Sequence, residues 1–259
     1  MPELPDVEIY KRFAEEHALQ HSVQKILILV PKSVDADSKD EFTKFYDSKF
    51  IDTYRQGKYL FLKNKSDYWL LMHFGMTGYL VAGTKDEKVK HAAAEIYFDN
   101  ETKLVFVNPR KLGKIGITND AGAYLNERKI GPDAAQTLFD DFVERIKQKK
   151  GRIKTALMDQ SFIAGIGNIY SDEILFQSQI HPQKEVSQLT DAQIQKLYQA
   201  IQDVIKTAIK NNADPSKMPS TYILPFRKEG NQCPACKGTI EKIKFSGRGC
   251  YFCPSCQKF

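Results

Sequence analysis

Ile130-Gly131-Pro132-Asp133 separates two kinds of sequence, and reading outward from it decides the fold. On its N-terminal side, residues 3–19 can form a helix. After that come VQKILILV (23–30), KYLFLK (58–63), YWLLMHF (68–74), AEIYFD (94–99) and KLVFV (103–107). These runs are short, rich in aromatic and β-branched residues, and broken by polar or glycine-containing segments, which is the signature of strands in a β-sandwich. On the C-terminal side, LFDDFVERI (138–146) sets Leu138, Phe139, Phe142 and Ile146 on one helical face. Thr190 and Gln193 then make a capping box ahead of Ile194, Leu197, Tyr198, Ile201, Val204 and Ile205. NNADPSKMPS (211–220) ends the helical part. The expected class is α+β and multidomain: an N-terminal β-sandwich with flanking helices over 1–131, a helical domain over 132–225 and a small C-terminal module over 226–259.

The chain has 259 residues, 42% hydrophobic and 27% charged, enough to bury one large core or two modest ones. No run approaches the roughly 18 apolar residues of a membrane helix, since DYWLLMHFGMTGYLVAG is interrupted by His73 and three glycines. A cytoplasmic protein with no membrane partner is expected. The net charge of +6 is unevenly spread, because the last 34 residues hold seven Lys or Arg against Glu229 and Glu241. A basic terminal module on a nearly neutral body suggests a polyanionic partner, nucleic acid first.

All five cysteines lie in that module. CPAC (233–236), a gap of sixteen residues and CPSC (253–256) have the spacing of a four-thiolate zinc site. The expected ligands are Cys233, Cys236, Cys253 and Cys256, each pair bracketing a tight knuckle. Cys250 is left out because TIEKIKF and CYF pair as strands across Ser246-Gly247-Arg248-Gly249, placing it on the hairpin. Four cysteines fill the coordination shell, so one structural zinc ion is expected and the chemistry must lie elsewhere. Arg248, flanked by glycines, suits a phosphate grip, although an ordinary exposed turn arginine would look the same.

Four separated pieces, PELPDVE (2–8), GKYL (57–60), DQSFIAGIGNIYSDEILFQSQIHP (159–182) and GRGCYFCPSCQ (247–257), together resemble the formamidopyrimidine-DNA glycosylase and endonuclease VIII family of base-excision repair enzymes. The likeness spans nearly the whole chain in the same order. It implies a glycosylase that is also an abasic-site lyase, working as a monomer on double-stranded DNA with damaged bases or abasic sites, in the cytoplasm beside the nucleoid. It implies removal of Met1, leaving Pro2 as a secondary amine nucleophile, less basic than a lysine and therefore more often unprotonated at neutral pH. Without the other motifs, Pro2 would read as a proline starting a helix. The resemblance assigns Glu3 as general acid, Lys58 to phosphate contact and proton supply, and Arg248 to the catalytic set and to DNA. It makes GIGNIY a helix–two-turns–helix whose Gly167 and Asn168 approach phosphate, with Lys149, Lys150 and Lys154 adding charge on the same approach and His91 a further DNA contact. Met76, Arg110 and Leu112 correspond to the residues that fill the gap left by an extruded base. A non-catalytic lesion-binding protein on the same scaffold is the alternative, although a pure binder has no need of Pro2, Glu3 and Lys58 together.

The sequence departs from the family pattern at Asn108 and Leu112, where the family usually has aspartate and phenylalanine, and at Asp6, where it has glutamate. Only about ten residues, Ile223 to Gln232, precede Cys233, so the loop that caps flipped 8-oxoguanine is expected to be short or absent. Abasic sites and easily unstacked lesions such as formamidopyrimidines or hydantoins are then expected to be better substrates than 8-oxoguanine.

Overall fold

A computed structural model describes every residue except Lys39, Asp40 and Ser246. It contains two compact units, one formed by residues 1–2 and 6–129, the other by residues 3–5 and 130–259. Among the described residues no helix is long and apolar enough to cross a membrane.

The first unit begins with helix α1 (Leu4–Ala18), whose first two residues belong to the other unit, and continues with eight strands: β1 (Val23–Ile28), β2 (Phe50–Gln56), β3 (Tyr59–Asn64), β4 (Trp69–His73), β5 (Tyr79–Thr84), β6 (Ala92–Phe98), β7 (Thr102–Val107) and β8 (Lys114–Thr118). They form two antiparallel sheets, ordered β1-β6-β7-β5 and β2-β3-β4-β8. The two-residue side-chain period of a strand sends Leu60, Leu62, Leu70 and Met72 of one sheet, and Ile96, Leu104 and Phe106 of the other, into a single core that Val7, Ala14 and Ala18 of α1 also enter. This is the expected sandwich. Strands β2, β5 and β8 were not among the five runs read from sequence: FIDTYRQ is half polar, YLVAGT is an edge strand and KIGIT is short and carries a glycine. The helix α2 (Ala121–Glu127) follows, with Asp120 accepting from the Ala123 amide at 2.9 Å.

The β2–β3 hairpin turns through Gly57 and Lys58, with Gly57 at φ 56° and Gln56 paired to Tyr59. A two-residue turn needs positive φ, which glycine adopts without strain. Lys58 is therefore the second residue of the turn, not the first residue of a strand. Arg55 steadies it from below. Its side chain is 5% exposed, its Nε donates to Glu8 Oε2 of α1 at 2.7 Å, and one terminal nitrogen donates to the Gly57 carbonyl at 3.2 Å.

The second unit holds α3 (Phe139–Lys147), α4 (Ile153–Met158), α5 (Asn168–Gln177), α6 (Asp191–Lys210) and the hairpin of β9 (Glu241–Phe245) with β10 (Arg248–Phe252). Phe142 and Ile146 face the core as expected, but α3 starts at Phe139, so Leu138 is the N-cap residue and stays 68% exposed. The Thr190–Gln193 capping box forms reciprocally, both bonds at 3.2 Å, and α6 buries Ile194, Leu197, Ile201, Val204 and Ile205. The finger hairpin is tighter than the four-residue connection read from sequence. Arg248 already pairs with Phe245, and Gly249 with Lys244. Ser246 lies outside the described residues.

Because Arg55 joins α1 to the Lys58 turn from a site closed to water, its ion pair should count for more than a surface pair. Glu8→Gln should lower stability by about 2 kcal/mol in urea unfolding. A loss below about 0.5 kcal/mol would show that the pair behaves as an exposed one.

Candidate active site

The amides of Gly167, Ile169 and Tyr170, at the start of α5, have no partner along their own helix, and they find one near the start of the chain. Glu3, 1% exposed, accepts from Gly167 N at 2.7 Å and Tyr170 N at 3.2 Å through Oε2, and from Ile169 N at 2.8 Å through Oε1. Leu4 N donates to the Gly165 carbonyl at 3.0 Å. The carboxylate thus caps α5 and meets the positive end of its dipole. Glu3 stands just ahead of α1 in the chain, yet the helix whose end it caps is α5. The same contact explains the glycines of GIGNIY. A Cβ on Gly167 would stand 2.4 Å from Glu3 Cδ, and Gly165 has φ +110° with Leu4 side-chain atoms 2.6 Å from where its Cβ would be. Both glycines make room for the N-terminal segment, a packing demand that the residue pattern alone does not disclose.

The cations preceding GIGNIY fall into different environments. Lys150 is exposed, and Lys149, half-buried, pairs with Asp159 at 2.6 Å. Lys154 departs from the expectation: it is fully buried, forms a close ion pair with Asp172, and donates to the Asn168 carbonyl at 3.2 Å and Ser171 Oγ at 3.0 Å. A desolvated lysine needs such a counter-charge, so it is not part of an open electrostatic approach. Asn168 is half-buried, with its Nδ2 on the Gly249 carbonyl at 3.1 Å. Arg248 is exposed, and its side chain has no hydrogen-bond or ion-pair partner among the described residues. Asp172 and Arg227, which the sequence reading did not single out, complete this cluster. Asp172 follows Asn168 by one helical turn, a spacing that could have flagged it.

In the first unit, Pro2 is buried at the end of the chain, next to Met1. Lys58, half-buried in its turn, lies near His73, whose pKa falls to about 4 through burial and then through the Lys58 charge. His73 is therefore neutral at physiological pH. It accepts from Gly75 N at 3.3 Å through Nδ1 and packs on Tyr59, with ring centres 4.9 Å apart. Met76 is 40% and Leu112 50% exposed, and Arg110 is exposed as well. The structure brings their loops together. Gly75, at φ +60°, has Leu112 C and Gly113 N each 2.6 Å from where a Cβ would stand. Asn108, 2% exposed, closes the second loop by donating to Gly113 O and Ser33 Oγ and accepting from Gly113 N, all at 3.1 Å. An aspartate could accept but not donate there, so the departure at 108 has a structural use. His91 is exposed at φ 61°, and its carbonyl accepts from Asn108 N at 3.0 Å, which puts it beside the same loops.

The four expected ligands Cys233, Cys236, Cys253 and Cys256 have their sulfurs within 4.8 Å of one another, and the 233–256 and 236–253 pairs are 3.8 and 3.5 Å apart. Zinc–sulfur bonds of about 2.3 Å in a tetrahedron place sulfurs about 3.8 Å apart, so the set fits one structural zinc ion. The knuckle amides of Ala235 and Gly238 point at Cys233 and Cys236, each at 3.4 Å, orienting the sulfurs as they bind. Cys250 is outside the set: it is wholly buried in β10, with its thiol pushed up to about 12 by burial and then by Asp172. Because thiolate coordination supplies a finger's folding energy, chelation or Cys253→Ser should melt the hairpin and weaken DNA binding. The sheets of the first unit should stay folded by circular dichroism, and Cys250→Ser should keep its zinc. Zinc loss in Cys250→Ser equal to that in Cys253→Ser would overturn the ligand assignment.

Three family models match successive parts of the chain: the formamidopyrimidine-DNA glycosylase N-terminal domain over residues 1–115, the formamidopyrimidine-DNA glycosylase H2TH domain over 130–220, and the zinc finger found in FPG and IleRS over 230–258. The formamidopyrimidine-DNA glycosylase of Listeria innocua is 32% identical over 274 residues, covering all of both chains. That of Acaryochloris marina is 34% identical over 281 residues, covering 99% of each. Among solved structures, the Lactococcus lactis enzyme in complex with FAPY-dG-containing DNA superimposes with a TM-score of 0.90 at 30% identity, covering 99% of this chain and 100% of that one. MutM in complex with carbocyclic 8-oxo-G-containing DNA gives 0.89 at 31% identity, with both chains covered completely. With its three characteristic domains matched in order and relatives aligned from end to end, the chain belongs to the formamidopyrimidine-DNA glycosylase family.

Proposed function

We propose that the protein is a base-excision repair DNA glycosylase with abasic-site lyase activity, and that Pro2, once Met1 is removed, is its nucleophile. The observation that carries this reading is the seating of Glu3. A carboxylate fixed by three amides adjoins the residue whose amine must attack, so its position is set before DNA arrives. The Pro2 nitrogen bonds to the deoxyribose C1′ as the bond to the damaged base breaks, and the base leaves with a proton. A secondary amine cannot give a neutral imine, so the adduct is an iminium, which acidifies the 2′ hydrogen. Loss of that proton expels the 3′ phosphate and cuts the strand, and water then releases Pro2. Glu3 protonates the sugar ring oxygen as the ring opens and returns the proton later. Lys58 supplies charge at the phosphate and a proton in the elimination step.

Arg248, Lys150, His91 and the Gly167–Asn168 turn carry the phosphate contacts. Met76 and Leu112 fill the space left by the extruded nucleotide, and Arg110 donates hydrogen bonds to its unpaired partner. The relatives' complexes contain FAPY-dG, abasic sites and an 8-oxo-G analogue. For this chain we favour abasic sites and formamidopyrimidines. Support comes from the short segment before the finger, where Ile223 and Leu224 are buried and their amides donate to Glu173 at 3.2 and 2.8 Å. Backbone committed in this way is not available to cap an extruded purine. A DNA substrate supports our reading that the enzyme works in the cytoplasm, beside the nucleoid.

Borohydride reduction during reaction should trap a covalent adduct on abasic-site and formamidopyrimidine duplexes, mapping to Pro2, and only slowly on 8-oxoguanine opposite cytosine. Keeping Met1 should lower the yield by at least about 100-fold. A Met1-retaining protein that traps equally well would assign the nucleophile to a lysine. A folded, DNA-binding protein that never traps would be the lesion-binding alternative.

A further inference from the structure

The β10 strand pairs with β9 along one edge, and its other edge presents backbone groups that need partners. Two of them find partners on α5. Gly249 O accepts from Asn168 Nδ2 at 3.1 Å, and Tyr251 N donates to Asp172 Oδ2 at 3.2 Å. The spacing is matched. Residues four apart on a helix rise about 6 Å, and residues two apart on a strand advance about 6.8 Å. The helix side chains thus take the place of a third strand against the finger.

Asp172 is held rigidly for this role. It is 1% exposed, and its Oδ1 takes the Lys154 ammonium. Its Oδ2 accepts a hydrogen bond from Arg227 Nε at 2.8 Å, and a terminal nitrogen of the same guanidinium lies within ion-pair distance at 2.7 Å. Arg227 also lies over the Tyr251 ring, 4.6 Å from its centre. Lys154 in turn donates to the carbonyl of Asn168, the other rung of the ladder. Two cations around one carboxylate leave it no alternative rotamer without stranding a buried charge. The residue just before the first rung is Arg248, exposed, its side chain without a partner among the described residues.

We infer that Asp172, together with Asn168, is a positioning residue for Arg248, a ladder from α5 to β10 that fixes where the guanidinium meets the DNA backbone. This rests on the phosphate contact proposed for Arg248. If the cluster only held the finger to the helices, losing it would weaken folding and DNA binding independently of Arg248. If it acts through Arg248, its effect on binding disappears once Arg248 is gone.

The test is a double-mutant cycle read as affinity for a duplex with an uncleavable abasic analogue, using zinc-loaded full-length protein. Arg248→Ala and Asp172→Asn should each weaken binding about tenfold. The combined variant should be no more than about twofold weaker than Arg248→Ala. Asp172→Asn with Arg110→Ala, by contrast, should show the product of the two separate losses. Exchange of the Tyr251 amide with solvent should also quicken in Asp172→Asn. Should the buried lysine unfold that variant, Lys154→Met with Asp172→Asn removes both charges and should show the same dependence on Arg248. Losses from Asp172 and Arg248 that multiply, or a zinc-loaded Asp172→Asn that binds as wild type, would overturn the positioning role. Wild-type binding by Arg248→Ala would instead overturn the phosphate contact beneath it.

Discussion

A carboxylate at residue 3 closes the end of a helix that begins at residue 168, and the local structure around GIGNIY follows from that bond set. Three amides that would otherwise need water or a local cap are satisfied by one side chain from the start of the chain. The arrangement ties residues 3 and 4 to the N-terminus of α5 and the loop before it. It also dictates the local sequence, because the carboxylate occupies the space above Gly167 and Leu4 the space above Gly165. In the same turn, Asn168 extends the chain of contacts to the finger hairpin. Within the second unit, Glu3 and the Gly167–Asn168 turn are coupled through one helix end.

Charge in the second unit is divided between buried and exposed positions. Lys154 and Arg227 lie around Asp172, where they order the backbone. Lys150 and Arg248 remain open to a polyanion. A count of basic residues therefore overstates the charge available to DNA, and the cations nearest in sequence to GIGNIY are not all DNA ligands. The Glu173 carboxyl, its pKa raised to about 7 chiefly by burial, keeps the segment before the finger anchored through the amides of residues 223 and 224.

How much was legible in the sequence depended on how local the cause is. The zinc ligands could be read directly, because knuckle geometry sets the C-x2-C spacing and the four sulfurs do converge. The sandwich could be read from its apolar strands, while β2, β5 and β8 escaped because half-polar, edge and very short strands lack a clean alternation. The capping box of α6 is a four-residue signal and was found where it was read. Lys154 was misjudged because its counter-ion lies eighteen residues away on another helix. GIGNIY was recognisable as a pattern, yet the reason for its glycines lies far upstream, at Glu3 and Leu4. Asn108 stood out only as a departure from the family, and its hydrogen bonds supply the reason.

The claim that Glu3 and its neighbours are set in place by the end of α5 is tested most directly at Gly167. A methyl group there must displace the Glu3 carboxylate, since its carbon would sit 2.4 Å from Cδ. Single-turnover borohydride trapping of Gly167→Ala on abasic-site DNA should fall by about 100-fold, the cost of misplacing a reacting group by roughly 1 Å, while zinc content is unchanged. Trapping at the wild-type rate by a folded, zinc-loaded Gly167→Ala protein would contradict the account.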